Sequence, residues 1–390
     1  MSQVQVNLHQ PGSHGYLKGY DTERKFRNVA MDSNIAGLSN FTQTDLQYMF
    51  PDLFTVKYPE VTYTKVLPIV STASGVQTVS YNIYDYSGEA TLFGSRAKDS
   101  NKVSTGKVTK YRGVFAYSAT AEYNILEVEA AKYANTSLEA QNMYALRRAI
   151  ENKIQKAAYF GDPLVSQDDL YGLFSNPDVG CWVNGDAGVP SVTDQAASPT
   201  AVTWEEAVSA AGTDTEKLIN VASGISNQIK YAFNQIIAQS KGVEYADTLL
   251  LPFAQYALIN DTVISNFTGE TIASRVIKNL RSLLNSDVAI LPINELSYQN
   301  AQQATYGSNT PFGGFRFYFN DQTQVPEADT QKDSFFVMRR DPMAVRFPIA
   351  MPMAIFPESQ RDGMLPFFSI ESVAGTMTLY PRSQGQFFGI

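Results

Sequence analysis

Two histidines, His9 and His14, one cysteine, Cys181, and two adjacent acid pairs, Asp168-Asp169 and Glu205-Glu206, are the side chains of this 390-residue sequence best suited to chemistry. Both histidines lie in a leader with Pro11, Gly12, Ser13 and Gly15, which reads as loop or flexible arm. A general base needs a rigid scaffold to hold its geometry, so they read as two solvated imidazoles. A lone cysteine can close no intrachain disulfide and make no thiolate metal cage, so the fold must stand on packing and suits a reducing compartment. The acid pairs would serve a metal ion or a glycosidase if they converged in a cleft. Thr203-Trp204-Glu205-Glu206 instead fits a capping box, in which Thr203 opens a helix, Glu206 reaches back, and first-turn acids favour the helix dipole.

Other signatures fail on inspection. Thr105-Gly106-Lys107-Val108 carries the Gly-Lys of a phosphate loop, but Asn101 stands in place of the first glycine and Val108 in place of the magnesium-binding hydroxyl. It reads as a hairpin arm. No Gly-x-Ser-x-Gly elbow or Gly-x-Gly-x-x-Gly turn occurs. The sequence therefore predicts no enzyme, no cofactor and no metal. Asn40, Asn135, Asn260 and Asn266 open Asn-x-Ser/Thr triplets, which would accept glycans only in a secreted chain. Met1 to Gln10 lacks an apolar signal core, and no apolar run approaches the roughly 18 residues of a membrane span. The expectation is a soluble, unsecreted protein with no membrane partner.

Charged residues make up 17% of the chain, against about 25% in ordinary soluble domains. With 30 Lys+Arg and 38 Asp+Glu the net charge is −8, so no overall basic field exists to hold nucleic acid or anionic lipid. The length suits two or three structural units.

The elements that would position any site follow from periodicity. Alternation over Val76 to Tyr86 and β-branched and aromatic residues over Lys107 to Tyr117 predict two long strands. Between them Ser87 to Gly106 is too long for a tight turn and holds Leu92, Phe93, Arg96, Lys98 and Lys102. A two-stranded ribbon is marginal alone in water, so one this size is expected to lie on a neighbouring subunit. Tyr123 to Tyr159 has neither Gly nor Pro and predicts a short helix to Tyr133 and a long one from Ser137, with Thr136 and Glu139 as a capping box. Leu146, Ile150, Ile154 and Ala158 form its buried stripe, and Gly161-Asp162-Pro163 stops it. A Gly/Asn/Asp/Pro-rich stretch, Gly172 to Pro199, marks a boundary. Helices are predicted at Trp204–Ala211, Thr215–Gln239, Pro252–Asn260 and Thr271–Leu284. Strands are predicted at Ala246–Leu251, Asp287–Leu291, Phe315–Phe319, Ser334–Arg339, Phe367–Glu371 and Ser372–Tyr380, the last two in a proline-punctuated β segment.

Gly161-Asp162 closing the helix, Gly172-Leu173-Phe174-Ser175-Asn176-Pro177 after it, and the β run from Phe367-Phe368-Ser369-Ile370-Glu371 to Tyr380 carry a resemblance. In the order of its elements, from about Phe41 to Ile390, the chain resembles the major capsid proteins of tailed phages with the Hong Kong 97 type fold, particularly the encapsulin-like branch. That resemblance implies an α+β fold with an amino-terminal arm over residues 1–40, peripheral domain over 41–75, extended β-hairpin loop over 76–118, and spine helix with peripheral domain over 119–176. An axial domain would span 177–330 and a carboxy-terminal β segment of the peripheral domain 331–390. Loop-tip residues Leu92, Phe93, Arg96, Lys98 and Lys102 would make assembly contacts, and Leu146, Ile150 and Ile154 would line the spine helix.

The function implied is a structural protein that self-assembles as pentamers and hexamers into the icosahedral head shell around double-stranded DNA. Such a shell would be assembled in the host cytoplasm, with scaffold, decoration and portal proteins as further partners. Some relatives crosslink through a loop lysine, for which Lys98 and Lys102 stand in the right region. An encapsulin-like compartment that binds a cargo peptide is the alternative from the same fold, and an α/β enzyme using carboxylates the alternative from another class. Aromatic residues at 12% suit large interfaces as well as a core.

Overall fold

Apolar residues recurring at helical spacing and then at strand spacing build two five-stranded sheets, the second of which separates two cores. The computed structural model describes residues 59–88, 102–133, 138–162, 171–176, 178–185, 188–190, 192, 202–265, 269–284, 287–297, 318–319, 323–324, 332–357 and 364–390. The elements below all belong to the unit Glu60–Ile390.

The first sheet runs in the order Ile69–Ser71, Val345–Pro357, Met364–Val373, Phe115–Asn124. Ile69–Ser71 pairs parallel and the others antiparallel, and Met377–Thr378 adds to Val345–Pro357. The helix Leu138–Phe160 lies on this sheet. Its stripe of Leu146, Ile150, Ile154 and Ala158 is buried as the i, i+4 spacing requires, with Tyr117, Ala119 and Phe347 in the same core. The shorter helix Ile125–Tyr133 precedes it and buries no residue. The expected box of Thr136 and Glu139 falls outside the described residues.

The long helix stops at Gly161, whose φ of 79° is the left-handed conformation that glycine takes without penalty. Its last carbonyls are satisfied from outside. Leu173 N–H donates to Ala158 O at 2.9 Å and Phe174 N–H to Tyr159 O at 2.8 Å, while Thr376 Oγ1 donates to Ala158 O at 2.6 Å. Gly172 allows the approach, since a Cβ there would sit 2.3 Å from the Tyr159 carbonyl. Ser175 Oγ accepts from Gly172 N–H and Asn176 Oδ1 from Asp178 N–H, closing the turn.

The second sheet runs Gly180–Val183, Gln384–Phe388, Ser334–Met338, Thr248–Leu251, Ala289–Pro292. Its central strand is buried on both faces, which explains a continuous apolar run in place of alternation. Phe336 and Met338 point into the core shared with the long helix, whereas Phe335 and Val337 point into a second core with Trp204, Ile225, Ile229, Phe233 and Leu280. Helices Trp204–Ala211, Thr215–Gln239, Phe253–Asp261 and Ile272–Leu284 cover that second core.

Three expectations are corrected. The proposed strand Ser372–Tyr380 is absent: Met364–Val373 is one strand, the chain leaves the sheet at Ala374 and Gly375 (φ 70°), and only Met377–Thr378 pairs again. The second ribbon strand does not run on to Tyr117 but ends at Gly113, and Phe115 begins a strand of the first sheet. The stretch Gly172 to Pro199, read as a boundary loop, contains the strand Gly180–Val183. Within the carboxy-terminal β segment, Gln384–Phe388 is a further strand, as that reading allows.

Candidate functional site

The feature that the two cores leave unexplained is the ribbon. Strands Thr78–Ser87 and Ser104–Gly113 pair antiparallel over ten residues, from Thr78 opposite Gly113 to Ser87 opposite Ser104, and no third strand joins them among the described residues. Residues directly opposite share a face. One face presents Tyr84, Tyr86 and Tyr111 with Lys107, whose ammonium lies 6.0 Å from the centre of the Tyr84 ring. The other presents Val79, Tyr81, Ile83 and Val108 with Lys110 and Arg112.

Both faces are open. Tyr86 is 75% and Tyr111 68% exposed, and Ile83, Tyr84 and Val108 are exposed too. A soluble monomer rarely shows so much contiguous apolar surface without a partner for it. Cross-strand polar pairs hold the ribbon in register where packing does not: Thr109 Oγ1 donates to Asn82 Oδ1 at 2.8 Å, and the Ser87 and Ser104 hydroxyls are 2.8 Å apart. Lys102, Lys107, Lys110 and Arg112 face Asp85 as the one acid of residues 78–88 and 102–113, so the ribbon is basic within an acidic chain.

A second exposed surface lies at the helix Ile125–Tyr133, where Tyr133 is 97% exposed and Leu126 is also open. The helix follows the end of strand Phe115–Asn124 remote from the ribbon. The sequence flagged neither these residues nor the ribbon tyrosines as contacts. Their signal was available in aromatic residues placed at both alternations of a strand, so that no choice of face buries them all.

Of the residues singled out from sequence, Leu92, Phe93, Arg96 and Lys98 lie outside the described residues, and Lys102 is exposed just before the second ribbon strand. Leu146, Ile150 and Ile154 are buried, the last two in the core between the long helix and the first sheet. Among the chemical candidates, His9, His14, Asp168 and Asp169 lie outside the described residues. Glu205 and Glu206 are in a helix first turn, where Glu206 N–H donates to Thr203 Oγ1 and Thr203 N–H donates to Glu206 Oε2, the reciprocal box read from the sequence. Cys181 is buried, and burial pushes its thiol up to about 12, where it is no nucleophile. Thr105 to Val108 lie in extended ribbon strand and form no phosphate cradle. Among the described residues no cluster of His, Cys, Asp and Glu could hold a metal ion, and no helix is long and apolar enough to cross a membrane.

Comparison with known proteins points the same way. Residues 88–306 match the family model described as major capsid protein. The capsid of Myoviridae phage XM1 is similar in structure at 13% identity, with a TM-score of 0.64 over 90% of this chain and 99% of that one. The capsid of cyanophage P-SCSP1u aligns at 11% identity with a TM-score of 0.49, over 88% of this chain and 92% of that one. The capsid of an empty GTA particle aligns at 8% identity with a TM-score of 0.49, over 92% and 99%. No curated protein matches the chain.

Proposed function

Since the chain belongs to the major capsid protein family, with the Hong Kong 97 type of phage capsid fold, we propose that its copies assemble as pentamers and hexamers into the icosahedral head shell of a tailed phage. The shell encloses double-stranded DNA without reading its sequence, forms in the host cytoplasm, and recruits scaffold, decoration and portal proteins. The ribbon is the extended loop, residues 1–40 are an arm under a neighbour, and the long helix with the first sheet is the peripheral domain. Residues 177–330 form the axial domain, with strands Ser334–Met338 and Gln384–Phe388 threaded back into its sheet. The subunit carries no catalytic role, and its contacts do the work.

The observation that carries this reading is the ribbon's exposure on both faces. Burying the tyrosines and aliphatics of those faces yields about 25 cal/mol per Å², a return that offsets part of the cost of ordering a long extended segment. Inside one molecule that return is not collected; heterologous contacts that close by rotation collect it in every copy.

Negative-stain microscopy of the purified full-length chain tests it. Rings or closed shells are expected from the wild type, and a Tyr84→Ser, Tyr86→Ser, Tyr111→Ser variant is expected to stay monomeric with an unchanged thermal midpoint. A wild-type chain that remains a monomer under all assembly conditions, or a triple variant that still forms shells, would overturn the reading. Nuclease-protected DNA inside particles recovered from infected cells distinguishes a phage head from a compartment that holds a protein cargo.

A further inference from the structure

Helices Thr215–Gln239 and Ile272–Leu284 lie side by side over the second core, tied where Asn279 Nδ2 donates to Ser226 Oγ at 2.9 Å. Each turns an apolar face inward: Ile225, Ile229 and Phe233 from the first, and Ile272, Val276 and Leu280 from the second, are fully buried. Within one turn of the tie stand Asn227 and Lys230 on the first helix and Arg275 and Lys278 on the second. Asn227 and Lys278 are exposed, and Lys230 and Arg275 are half-buried.

Charge on this surface has one sign. Residues 217–243 and 271–286 hold six bases and no acid, in a chain with 38 acids and 30 bases. Arg281 is engaged, its Nε donating to Asp287 Oδ1 at 2.8 Å just past the helix. Lys230, Arg275 and Lys278 ion-pair with nothing among the described residues. Their charges do no work in holding the fold and stand ready for an external anion. Around them Asn234, Ser274 and Ser282 are exposed as Asn227 is, so the bases are interspersed with neutral hydrogen-bonding side chains. Lysine, arginine, asparagine and serine are the types that contact nucleic-acid phosphate and sugar, fixing position without reading sequence.

We propose that this two-helix surface binds the phosphate backbone of double-stranded nucleic acid, with Lys230, Arg275 and Lys278 supplying the charge. The net charge of −8 conceals the local field, because the acids lie elsewhere in the chain. That the duplex is the packaged one, and that this surface faces the interior of the shell, rests on the shell reading; the binding itself does not. Three phosphate contacts per copy hold a duplex weakly and release it as salt rises, which lets it slide during filling and emptying, while many copies together keep it seated.

Fluorescence anisotropy of a labelled short duplex of arbitrary sequence, titrated with the full-length chain across a salt series, tests this. The wild type is expected to bind at low ionic strength. The variant Lys230→Gln, Arg275→Gln, Lys278→Gln is expected to bind at least about tenfold more weakly, with a log–log salt slope shallower by about 0.9 per charge removed. Lys230→Arg, Arg275→Lys, Lys278→Arg is expected to keep both affinity and slope, as is Lys107→Gln, Lys110→Gln in the ribbon. Absence of wild-type binding, unchanged binding in the glutamine variant, an equal loss in the charge-retaining variant, or a loss that falls on the ribbon variant instead would overturn the proposal. Polyglutamate that competes as well as the duplex would assign the surface to an acidic protein segment and overturn it too. Should the half-buried Arg275 prove necessary for folding, an unmoved slope in Lys278→Gln alone overturns it. A chain that binds duplex but never forms shells would fail the shell reading and keep this one, and shells whose subunits bind no duplex would do the reverse.

Discussion

Tyr159 and Phe174 stack with ring centroids 5.2 Å apart and planes 6° from parallel, fastening the loop after the long helix onto that helix's last turn. Two backbone hydrogen bonds from Leu173 and Phe174 reinforce the contact. A short Gly-Leu-Phe-Ser-Asn segment, weak as a motif, is thereby explained: each residue either approaches the helix end or closes the turn that brings it there.

Gly172→Ala is expected to break this junction. The new methyl would sit 2.3 Å from the Tyr159 carbonyl, against backbone that cannot swing away. The cost should reach about 3 kcal/mol, the upper end for overpacking. Gly106→Ala, whose nearest neighbour would be 3.8 Å away in the ribbon, should change stability by under about 0.5 kcal/mol. Urea denaturation of the two variants compares them directly, and equal midpoints would contradict the steric account.

Thr203→Ala removes the acceptor for Glu206 N–H at the head of the Trp204–Ala211 helix. The expected loss is about 1 kcal/mol, with Thr203→Ser retaining most of it. Matched loss in both variants would show that the hydroxyl is not what matters.

Cys181 should be inert while the chain is folded. Burial holds its thiol near 12, well above the ordinary 9.0, so thiolate is scarce at neutral pH and stability linked to this group falls only as pH rises from about 9 toward 12. Disulfide-exchange reagents at mildly alkaline pH should label the denatured chain at once and the native chain only at its opening rate. Rapid native labelling would mean that the second sheet opens locally at Gly180–Val183.

The ribbon's basic surplus should appear in assembly kinetics. Charge reversal at Lys107 and Lys110 is expected to slow association about tenfold or more at low ionic strength, and the difference should shrink as salt shortens the Debye length below about 10 Å. Light scattering across a salt series reads both effects. A rate unaffected by the reversal would assign the ribbon's affinity to its aromatic faces alone.

Much of this architecture was legible wherever one face of an element is buried and the other wet. Leu146, Ile150, Ile154 and Ala158 announced the long helix, Thr203 and Glu206 the start of the next, and the alternation from Val76 the ribbon. Legibility failed where a buried strand is built from or flanked by glycine and amide residues, whereas the equally buried but apolar Thr248–Leu251 and Ser334–Met338 were readable. Gln384-Gly385-Gln386 looks like loop, yet it is a fully buried strand in which Gly385 leaves room for the Trp182 ring, 2.1 Å from where a Cβ would stand. Gly180–Val183 is hidden by flanking Gly, Asn and Asp for the same reason. The sequence indicated a ribbon that needs a partner and named residues of its tip, which apart from Lys102 lie outside the described residues; the exposed tyrosines of the shaft it did not single out.

The wall between the two cores draws its strands from positions 180, 250, 290, 336 and 386 of the chain, with the strand at 386 wedged between two of the others. The strands at 336, 250 and 290 can pair without it, but the strand at 180 has no place in this sheet until residues 384–388 are available. Completion of this sheet is therefore a late, long-range step of folding, since the strand at 386 must enter between partners whose chain was made about 50 and about 200 residues earlier.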